Sequence, residues 1–333
     1  MSLTTPSRPC ISSASCRDRN NPTPAPVAGG SQTVALPRGT RHAAPMSQAQ
    51  RIRDLVRRSE PLLMAGVFDA LSARLATQAG FEVIFVGGYS VAATALGEPD
   101  FGLLTQTEIA ATARAVCAAT DLPVLIDCDT GYGNAINVIR TVHEMQRAGA
   151  AGMFLEDQVW PKRCGHMRGK RVIPLDEQLA KLRAALDARA NGDLFVVART
   201  DARAAIDLDD AIGRGRAFRN LGVDAVFVEA PESIDELRAV ARALPDVPLV
   251  ANMVEHGRTP MLTRTELGEL GFRMIVYPLS GLLAAARALR ETYRHLRIHG
   301  STRDILDRLL TFDEFHGVID LDAKYALDQK YGG

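Results

Sequence analysis

The sequence lacks the features of membrane-spanning, disulfide-stabilised and nucleic-acid-binding proteins. It has no uninterrupted apolar run of about 18 residues, the length that a membrane helix needs. Its five cysteines are an odd number and scattered, which favours neither a disulfide framework nor a zinc site and fits a reducing cytoplasm. Lysine plus arginine equals aspartate plus glutamate at 39 each, so no basic field favours nucleic acid or an anionic membrane. We therefore expect a cytoplasmic protein with a small-molecule partner, no nucleic acid and no membrane.

Nucleotide-binding motifs are missing as well. The stretch Gly131-Tyr132-Gly133 is too short for a dinucleotide fingerprint, and no Gly-Lys-Ser/Thr loop is present. Nicotinamide and ATP are therefore not expected as partners.

Residues 1–45 have a different composition from the rest of the chain. They hold seven of the 17 prolines and five arginines against one acidic residue, with little apolar periodicity. Such a segment cannot bury enough surface to fold, and we predict a disordered extension. An organellar transit peptide is the alternative, because the segment is rich in arginine and serine and poor in acid.

From residue 51 onward, short apolar runs alternate with helical patterns. Eight alternating units predict a (β/α)8 TIM-type barrel over residues 46–300, with a doubly wound open sheet as the alternative. Residues 301–333 form a further helical segment whose exposed apolar positions predict packing against another subunit. The eight predicted strands are Leu62–Asp69, Val83–Gly88, Pro123–Asp129, Gly152–Asp157, Leu194–Asp201, Ala225–Ala230, Pro248–Met253 and Met274–Pro278.

Polar groups follow the strands at the edge where barrel active sites are built. Asp127 and Asp129 share one face if the third strand continues through both, because alternate strand residues point the same way. Carboxylates without cysteine and histidine ligands suit Mg²⁺ or Mn²⁺. Arg199 adds a guanidinium suited to a substrate carboxylate. The other strand-end groups are Asp69, Glu156, Asp157, Asp201, Glu229 and Asn252.

Two connections, 89–106 and 158–174, are too long for simple turns, and long loops in compact domains are usually functional. The second carries Cys164 between Lys162-Arg163 and His166. Positive neighbours lower the pKa of a thiol, so Cys164 is a candidate reactive cysteine. An incidental cysteine in a solvated basic loop is the alternative. Cys128 is predicted to be structural, because in a strand its side chain points away from the face of Asp127.

Five motifs, in order and within roughly residues 50–295, resemble those of the isocitrate lyase and phosphoenolpyruvate mutase superfamily. The loop with Cys164 resembles its carbon–carbon lyase branch, which includes the 2-methylisocitrate and dimethylmalate lyases, the petal death protein and oxaloacetate hydrolases. The motifs are Asp127-Cys-Asp-Thr-Gly-Tyr-Gly-Asn134, Glu156-Asp-Gln158, Lys162-Arg-Cys-Gly-His166, Ala198-Arg-Thr-Asp-Ala202 and Val228-Glu-Ala-Pro231.

This resemblance implies an Mg²⁺-dependent barrel enzyme, usually a homotetramer (a dimer of dimers) whose C-terminal helices swap between subunits. Asp127 would bind the metal directly, and Asp100, Asp129 and Glu156 would hold its waters. Cys164 would be the general acid. The substrate would contact Gly87, Gly88, Tyr89, Gly165, His166, Arg199, Glu229 and Asn252.

The expected reaction is cleavage of a 2-hydroxy di- or tricarboxylate, of the 2-alkylmalate or 2-methylisocitrate type, to a 2-oxo acid and a carboxylate. The turn Val86-Gly87-Gly88 and the residue Asn134 also resemble other branches, so the substituent on the substrate stays open. Oxaloacetate hydrolysis or decarboxylation, a phosphonate-forming mutase and a non-catalytic dicarboxylate-binding barrel are the alternatives. Tyr89, Asp129 or a metal-bound hydroxide could each serve as the base.

Overall fold

The computed structural model describes residues 46–165, 169–189 and 193–332. The predicted N-terminal extension, residues 1–45, and the predicted substrate contact His166 lie outside the described residues. Across the described ranges, no helix is both long and apolar enough to cross a membrane.

Eight parallel strands form one sheet, in the order β6-β5-β4-β3-β2-β1-β8-β7. A parallel bridge between Val226 and Leu249 joins its two ends, and the amide of Val226 donates a hydrogen bond to the carbonyl of Pro248 at 2.9 Å. The sheet therefore closes, which confirms the (β/α)8 barrel and excludes the open-sheet alternative. The strands are β1 Leu62–Val67, β2 Val83–Val86, β3 Val124–Asp127, β4 Gly152–Glu156, β5 Phe195–Thr200, β6 Ala225–Val228, β7 Val250–Asn252 and β8 Met274–Tyr277.

Helices surround the barrel, and a π-helical turn at Ala92–Leu96 and a 3-10 segment at Arg303–Arg308 interrupt the connections. Helix starts account for part of the difference between the predicted and observed strands. Strand β1 ends before Asp69, because the Asp69 carboxylate caps the next helix by accepting a hydrogen bond from the amide of Ser72 at 2.7 Å. The helices are α1 Gln48–Val56, α2 Ala70–Gln78, α3 Gly88–Val91, α4 Gln106–Cys117, α5 Ala135–Ala148, α6 Leu175–Ala188, α7 Ala202–Ala205, α8 Leu208–Leu221, α9 Ile234–Ala243, α10 Arg264–Leu270, α11 Ser280–His299, α12 Phe312–Ile319 and α13 Leu321–Tyr331.

The strands separate two apolar cores. Leu125 packs inside the barrel, whereas Ile126 and Cys128 pack between strands and helices. Ile52 and Leu55 of α1 join the inner core and cover the barrel end opposite the strand carboxyl termini. The barrel is therefore open at the carboxyl ends of its strands, and inward-facing side chains beyond those ends lie at that rim.

A close approach between β1 and the end of β8 leaves no room for a side chain at Gly66. A Cβ atom there would lie 2.1 Å from the carbonyl oxygen of Pro278, which is backbone and cannot rotate away. We expect Gly66→Ala to lower the free energy of unfolding by about 1–3 kcal/mol through overpacking. Urea denaturation followed by circular dichroism measures the change.

Gly213→Ala is the control for Gly66→Ala. Gly213 lies inside α8, and a Cβ atom there meets nothing within 4 Å. The same substitution should raise stability by about 0.5–1 kcal/mol, because alanine costs less backbone entropy in a helix than glycine. Equal effects of the two substitutions would contradict the packing argument.

The C-terminal segment is helical and carries apolar side chains that the described residues do not cover. Helix α11 has no buried residue over 20 positions, and Tyr293 is 64% exposed. Phe312 of α12 is 78% exposed. The exchange of these helices between subunits stays a prediction.

Candidate active site

Three phenylalanines form an aromatic layer inside the barrel. The Phe85 and Phe154 rings lie 4.8 Å apart, and the Phe154 and Phe227 rings lie 6.0 Å apart. Because strand residues alternate in direction, the residue two positions further on each of these strands faces inward again. Those residues are Gly87, Glu156 and Glu229, and the same rule brings Asp127, Arg199 and Asn252 to this rim from β3, β5 and β7.

A cavity of about 520 Å³, including space open to solvent, lies above this layer. Ten of the thirteen residues predicted for the site line it. Glu156 and Asp129, each 1% exposed, are buried and do not line it, and His166 is outside the described residues. Asp69, a predicted strand-end group, is instead an exposed helix cap. The lining residues from the prediction are Gly87, Gly88, Tyr89, Asp100, Asp127, Cys164, Gly165, Arg199, Glu229 and Asn252.

Asp129 does not share a strand face with Asp127, and the physical reason given in the sequence prediction is wrong. Strand β3 ends at Asp127, and Asp129 has a left-handed backbone with φ 49°. The turn still brings the two together, since the amide of Asp129 donates to Asp127 Oδ1 at 3.1 Å. Asp127 Oδ2 also accepts a hydrogen bond from the amide of Gly88 at 3.2 Å.

Lys162 joins two of the predicted metal-site carboxylates, a contact that the sequence did not indicate. Its Nζ lies 2.6 Å from Asp100 Oδ1 and 2.7 Å from Asp129 Oδ1, and the lysine is 3% exposed. Burial opposes its charge, but Asp129 and Asp100 raise the pKa of Lys162 well above its ordinary value. Burial likewise raises the pKa of Asp129 to about 7, although Lys162 acts to lower it.

Arg199 is held against the cavity by carboxylates on both sides. Its Nε and Nη2 donate to the two oxygens of Asp201 at 2.9 Å and 3.2 Å, and its Nε lies 3.2 Å from Glu156 Oε2. Its guanidinium stands 5.3 Å from the centre of the Phe227 ring. Burial alone would raise the pKa of Asp201, but Arg199 and Lys170 hold it well below its ordinary value.

Three consecutive residues at the end of β4 have three different tasks. Glu156 lies beside Arg199, and its amide donates to the carbonyl of Asp129 at 2.9 Å. Asp157, which is fully buried, accepts from Thr200 Oγ1 at 2.7 Å and from Arg214 Nη1 at 3.1 Å. The Gln158 side chain donates to the carbonyl of Arg163 at 2.8 Å and accepts from its amide at 3.0 Å. This motif therefore supports both the barrel rim and the loop that carries Cys164.

Cys164 reaches the cavity from that loop. It is half-buried and lines the cavity, and its amide donates to the carbonyl of Asp100 at 3.2 Å. Cys128 is completely buried in the outer core, as expected for a structural cysteine. Tyr89 lines the cavity, whereas Asp129 is buried against Lys162, so Tyr89 is the better placed of the two side chains suggested as base.

The carboxylate cluster fits a divalent cation held largely through water. Both oxygens of Glu156 are buried without a hydrogen-bond partner, since the contact with Arg199 lacks hydrogen-bond geometry. Within the described residues, no three acidic, histidine or cysteine side chains converge as direct metal ligands. Mg²⁺ often keeps several waters and uses one or two carboxylates directly, so Asp127 with its neighbours meets its needs.

The barrel carries an arginine, carboxylates and a cysteine around one cavity at the carboxyl ends of its strands. This is where (β/α)8 barrel enzymes have their active sites, and the chain is of that class. A family model described as phosphoenolpyruvate phosphomutase matches residues 52–297. The chloroplastic carboxyvinyl-carboxyphosphonate phosphorylmutase of Arabidopsis thaliana is 48% identical over 300 residues, or 89% of this chain and 88% of that protein. The 2,3-dimethylmalate lyase of Eubacterium barkeri is 39% identical over 86% of this chain and 99% of that protein.

Solved structures agree with the sequence relatives. Oxaloacetate acetylhydrolase in complex with the inhibitor 3,3-difluorooxalacetate has a TM-score of 0.80 and 35% identity, covering 86% of this chain and 98% of that chain. The chain belongs to the isocitrate lyase and phosphoenolpyruvate mutase superfamily. The prediction of an enzyme of this superfamily, whose matched members are lyases or mutases, is thereby confirmed.

Proposed function

We propose that this enzyme is a carbon–carbon lyase that cleaves a 2-hydroxy dicarboxylate, of the 2-alkylmalate type, to pyruvate or another 2-oxo acid and a carboxylate. The observation that supports the proposal most strongly is the position of Cys164. It lines the same cavity as Arg199 and Asp127, so a proton donor stands beside groups that can hold a carboxylate and a cation. A 2-methylisocitrate-type tricarboxylate is the larger member of the same substrate class.

The reaction breaks the bond between carbons 2 and 3 of the substrate. A base takes the hydroxyl proton, the hydroxyl carbon becomes a carbonyl, and the electron pair of the broken bond passes to carbon 3. Carbon 3 then takes a proton from the Cys164 thiol, which becomes a thiolate. A positioned acid contributes typically 10²–10⁴-fold to such a step.

The other cavity residues bind and orient the substrate. Arg199 is fixed by Asp201, so it presents its guanidinium to a substrate carboxylate without first having to be ordered. Asn252 donates to Glu229 at 3.3 Å, and this pair lies on the cavity wall beside Arg199. Tyr89, which lines the cavity, stays a candidate for the base that takes the hydroxyl proton.

Mg²⁺, with Mn²⁺ as the substitute, is the proposed cofactor. Asp127 would bind it directly, and Asp100, Asp129 and Glu156 would hold its waters. When bound, the ion would polarise the hydroxyl and the adjacent carboxylate of the substrate. The charge of the cluster is consistent with this role, because Lys162 pairs with Asp100 and Asp129, and Arg199 pairs with Glu156.

Pyruvate release tests the proposal. Purified protein with Mg²⁺ is offered 2,3-dimethylmalate, other 2-alkylmalates, 2-methylisocitrate and oxaloacetate, and products are identified by NMR. Pyruvate from a malate derivative, lost on adding EDTA and restored by Mg²⁺, is the expected result. Hydrolysis of oxaloacetate to oxalate and acetate is the second candidate, favoured by the likeness to oxaloacetate acetylhydrolase. Turnover of oxaloacetate alone would overturn the lyase assignment.

A homotetramer, arranged as a dimer of dimers, is the proposed assembly. Its support is the exposed apolar face of α11 to α13, where Leu289 is 50% and Phe312 is 78% exposed. Burying such side chains in a subunit contact would stabilise the assembly. Light scattering on the intact chain should give four times the chain mass, and a monomer would contradict the proposal.

A further inference from the structure

We propose that Lys170 is a positioning residue, which sets the place of Cys164 over the cavity by tying the backbone of Gly165 to Asp201. The inference rests on the proposed role of Cys164 as the acid. We call residues 158–174, which carry Cys164, the cysteine loop. Lys162 precedes Cys164 in this loop and Lys170 follows it, and both lysines are buried.

The contacts of Lys170 are directed and buried. Its Nζ donates to the carbonyl of Gly165, and it lies 2.7 Å from Asp201 Oδ1. Lys170 is 7% exposed and Asp201 is fully buried. A buried ammonium without its partner is costly, so Lys170 stays where Asp201 holds it. The Gly165 carbonyl is therefore fixed by a side chain that cannot relax into water.

Gly165 has little freedom on its other side. A Cβ atom there would lie 2.0 Å from Glu229 Oε1, so the Gly165 backbone lies directly against the cavity wall. Cys164 is its neighbour in the chain and lines the same cavity. Reacting groups misplaced by about 1 Å can cost about 10²-fold in rate, so a shift of Gly165 should reach the Cys164 thiol.

The carboxylate of Asp201 also holds Arg199, the arginine that lines the cavity. Asp201 accepts two hydrogen bonds from Arg199 while it binds Lys170, so the proposed acid and the proposed carboxylate-binding group share one support. Loss of Lys170 leaves both bonds to Arg199 in place. Its loss should therefore lower kcat and change KM little.

Thiol chemistry tests the inference without depending on the substrate. We expect Cys164 in Lys170→Met to react with iodoacetamide severalfold faster than in the parent protein, because Gly165 is released from Asp201. Peptide mass mapping separates Cys164 from Cys117, a half-buried cysteine on α4 that serves as the internal reference. On the substrate that the panel assay identifies, kcat should fall by roughly 10²-fold.

Three variants separate positioning from general loosening. Asp201→Asn removes the charge at the other end of the bridge and should reproduce the faster alkylation of Cys164. Lys170→Arg keeps a cation and should restore part of the parent behaviour. Lys181→Met removes another buried lysine, 3% exposed and without a hydrogen bond to the described residues of the cysteine loop, and should leave Cys164 alkylation unchanged.

Unchanged Cys164 alkylation in a folded Lys170→Met protein would overturn the inference, as would an equal increase in Lys181→Met. Failure of the proposed function would give a different result from failure of this inference. Turnover would then survive loss of the Cys164 thiol, while the alkylation result would still report whether Lys170 positions the loop.

Discussion

Replacement of Cys164 by serine is expected to lower kcat by about 10²–10⁴-fold, the usual contribution of a positioned general acid. Serine is close in size to cysteine, but its hydroxyl is a much weaker acid than a thiol. KM should change little, because Arg199 and Asn252, which are proposed to bind substrate, lie on strands β5 and β7 and not on the loop of Cys164. Steady-state assays of 2-oxo acid release on the substrate identified from the panel measure both constants.

Cys117→Ser is the matched control, since Cys117 is also half-buried but lies on α4. Its kcat should equal that of the parent protein. Full turnover in Cys164→Ser would remove the cysteine from the mechanism. It would then favour the decarboxylase or mutase alternatives, which do not need this proton donor.

The barrel could be predicted from the sequence because its strands are buried on both faces. Each strand is then a short apolar run between helical patterns, and all eight predicted runs are strands in the structure. The rim residues follow from the same rule. Asp127, Glu156 and Arg199 lie at the carboxyl ends of their strands, and that shared position was enough to group them at one rim.

The sequence could not indicate contacts that depend on how the long loops fold back. Lys162 was noted only as a positive neighbour of Cys164, yet it pairs with Asp100, which lies 62 positions earlier in the chain. Lys170 and its partner Asp201 are a second case. Asp129 shows the limit of the alternation rule, because the chain leaves the strand after Asp127 and turns through a left-handed residue.

Arg214→Met is expected to lower the free energy of unfolding by about 3–5 kcal/mol at neutral pH, because it leaves the buried carboxylate of Asp157 without its cation. Arg214 Nη1 donates to Asp157 Oδ2 at 3.1 Å and to the carbonyl of Ile173 at 2.9 Å, and its Nε lies 2.6 Å from Asp210 Oδ1. Methionine retains much of the volume and none of these bonds. Urea denaturation gives the change, with Arg219→Met on the same helix as the control. The Arg219 ion pair with Asp246 is long, at 3.9 Å, and partly exposed, so its loss should cost about 0–1 kcal/mol.

The loss of unfolding free energy in Arg214→Met should increase with pH, because Asp157 is buried. Burial raises the pKa of Asp157 to about 6, while Arg214 and the hydrogen bonds from Asp201 and Thr200 act to lower it. Without Arg214 this folded-state pKa must rise further above the unfolded value. Stability is then retained at acid pH, where Asp157 binds a proton in the fold, and lost as pH rises through the folded pKa. The difference from the parent protein should accordingly be smaller at pH 5 than at pH 8. A difference that is the same at both pH values would mean that Arg214 acts through its packing and its bond to Ile173, and not through its charge.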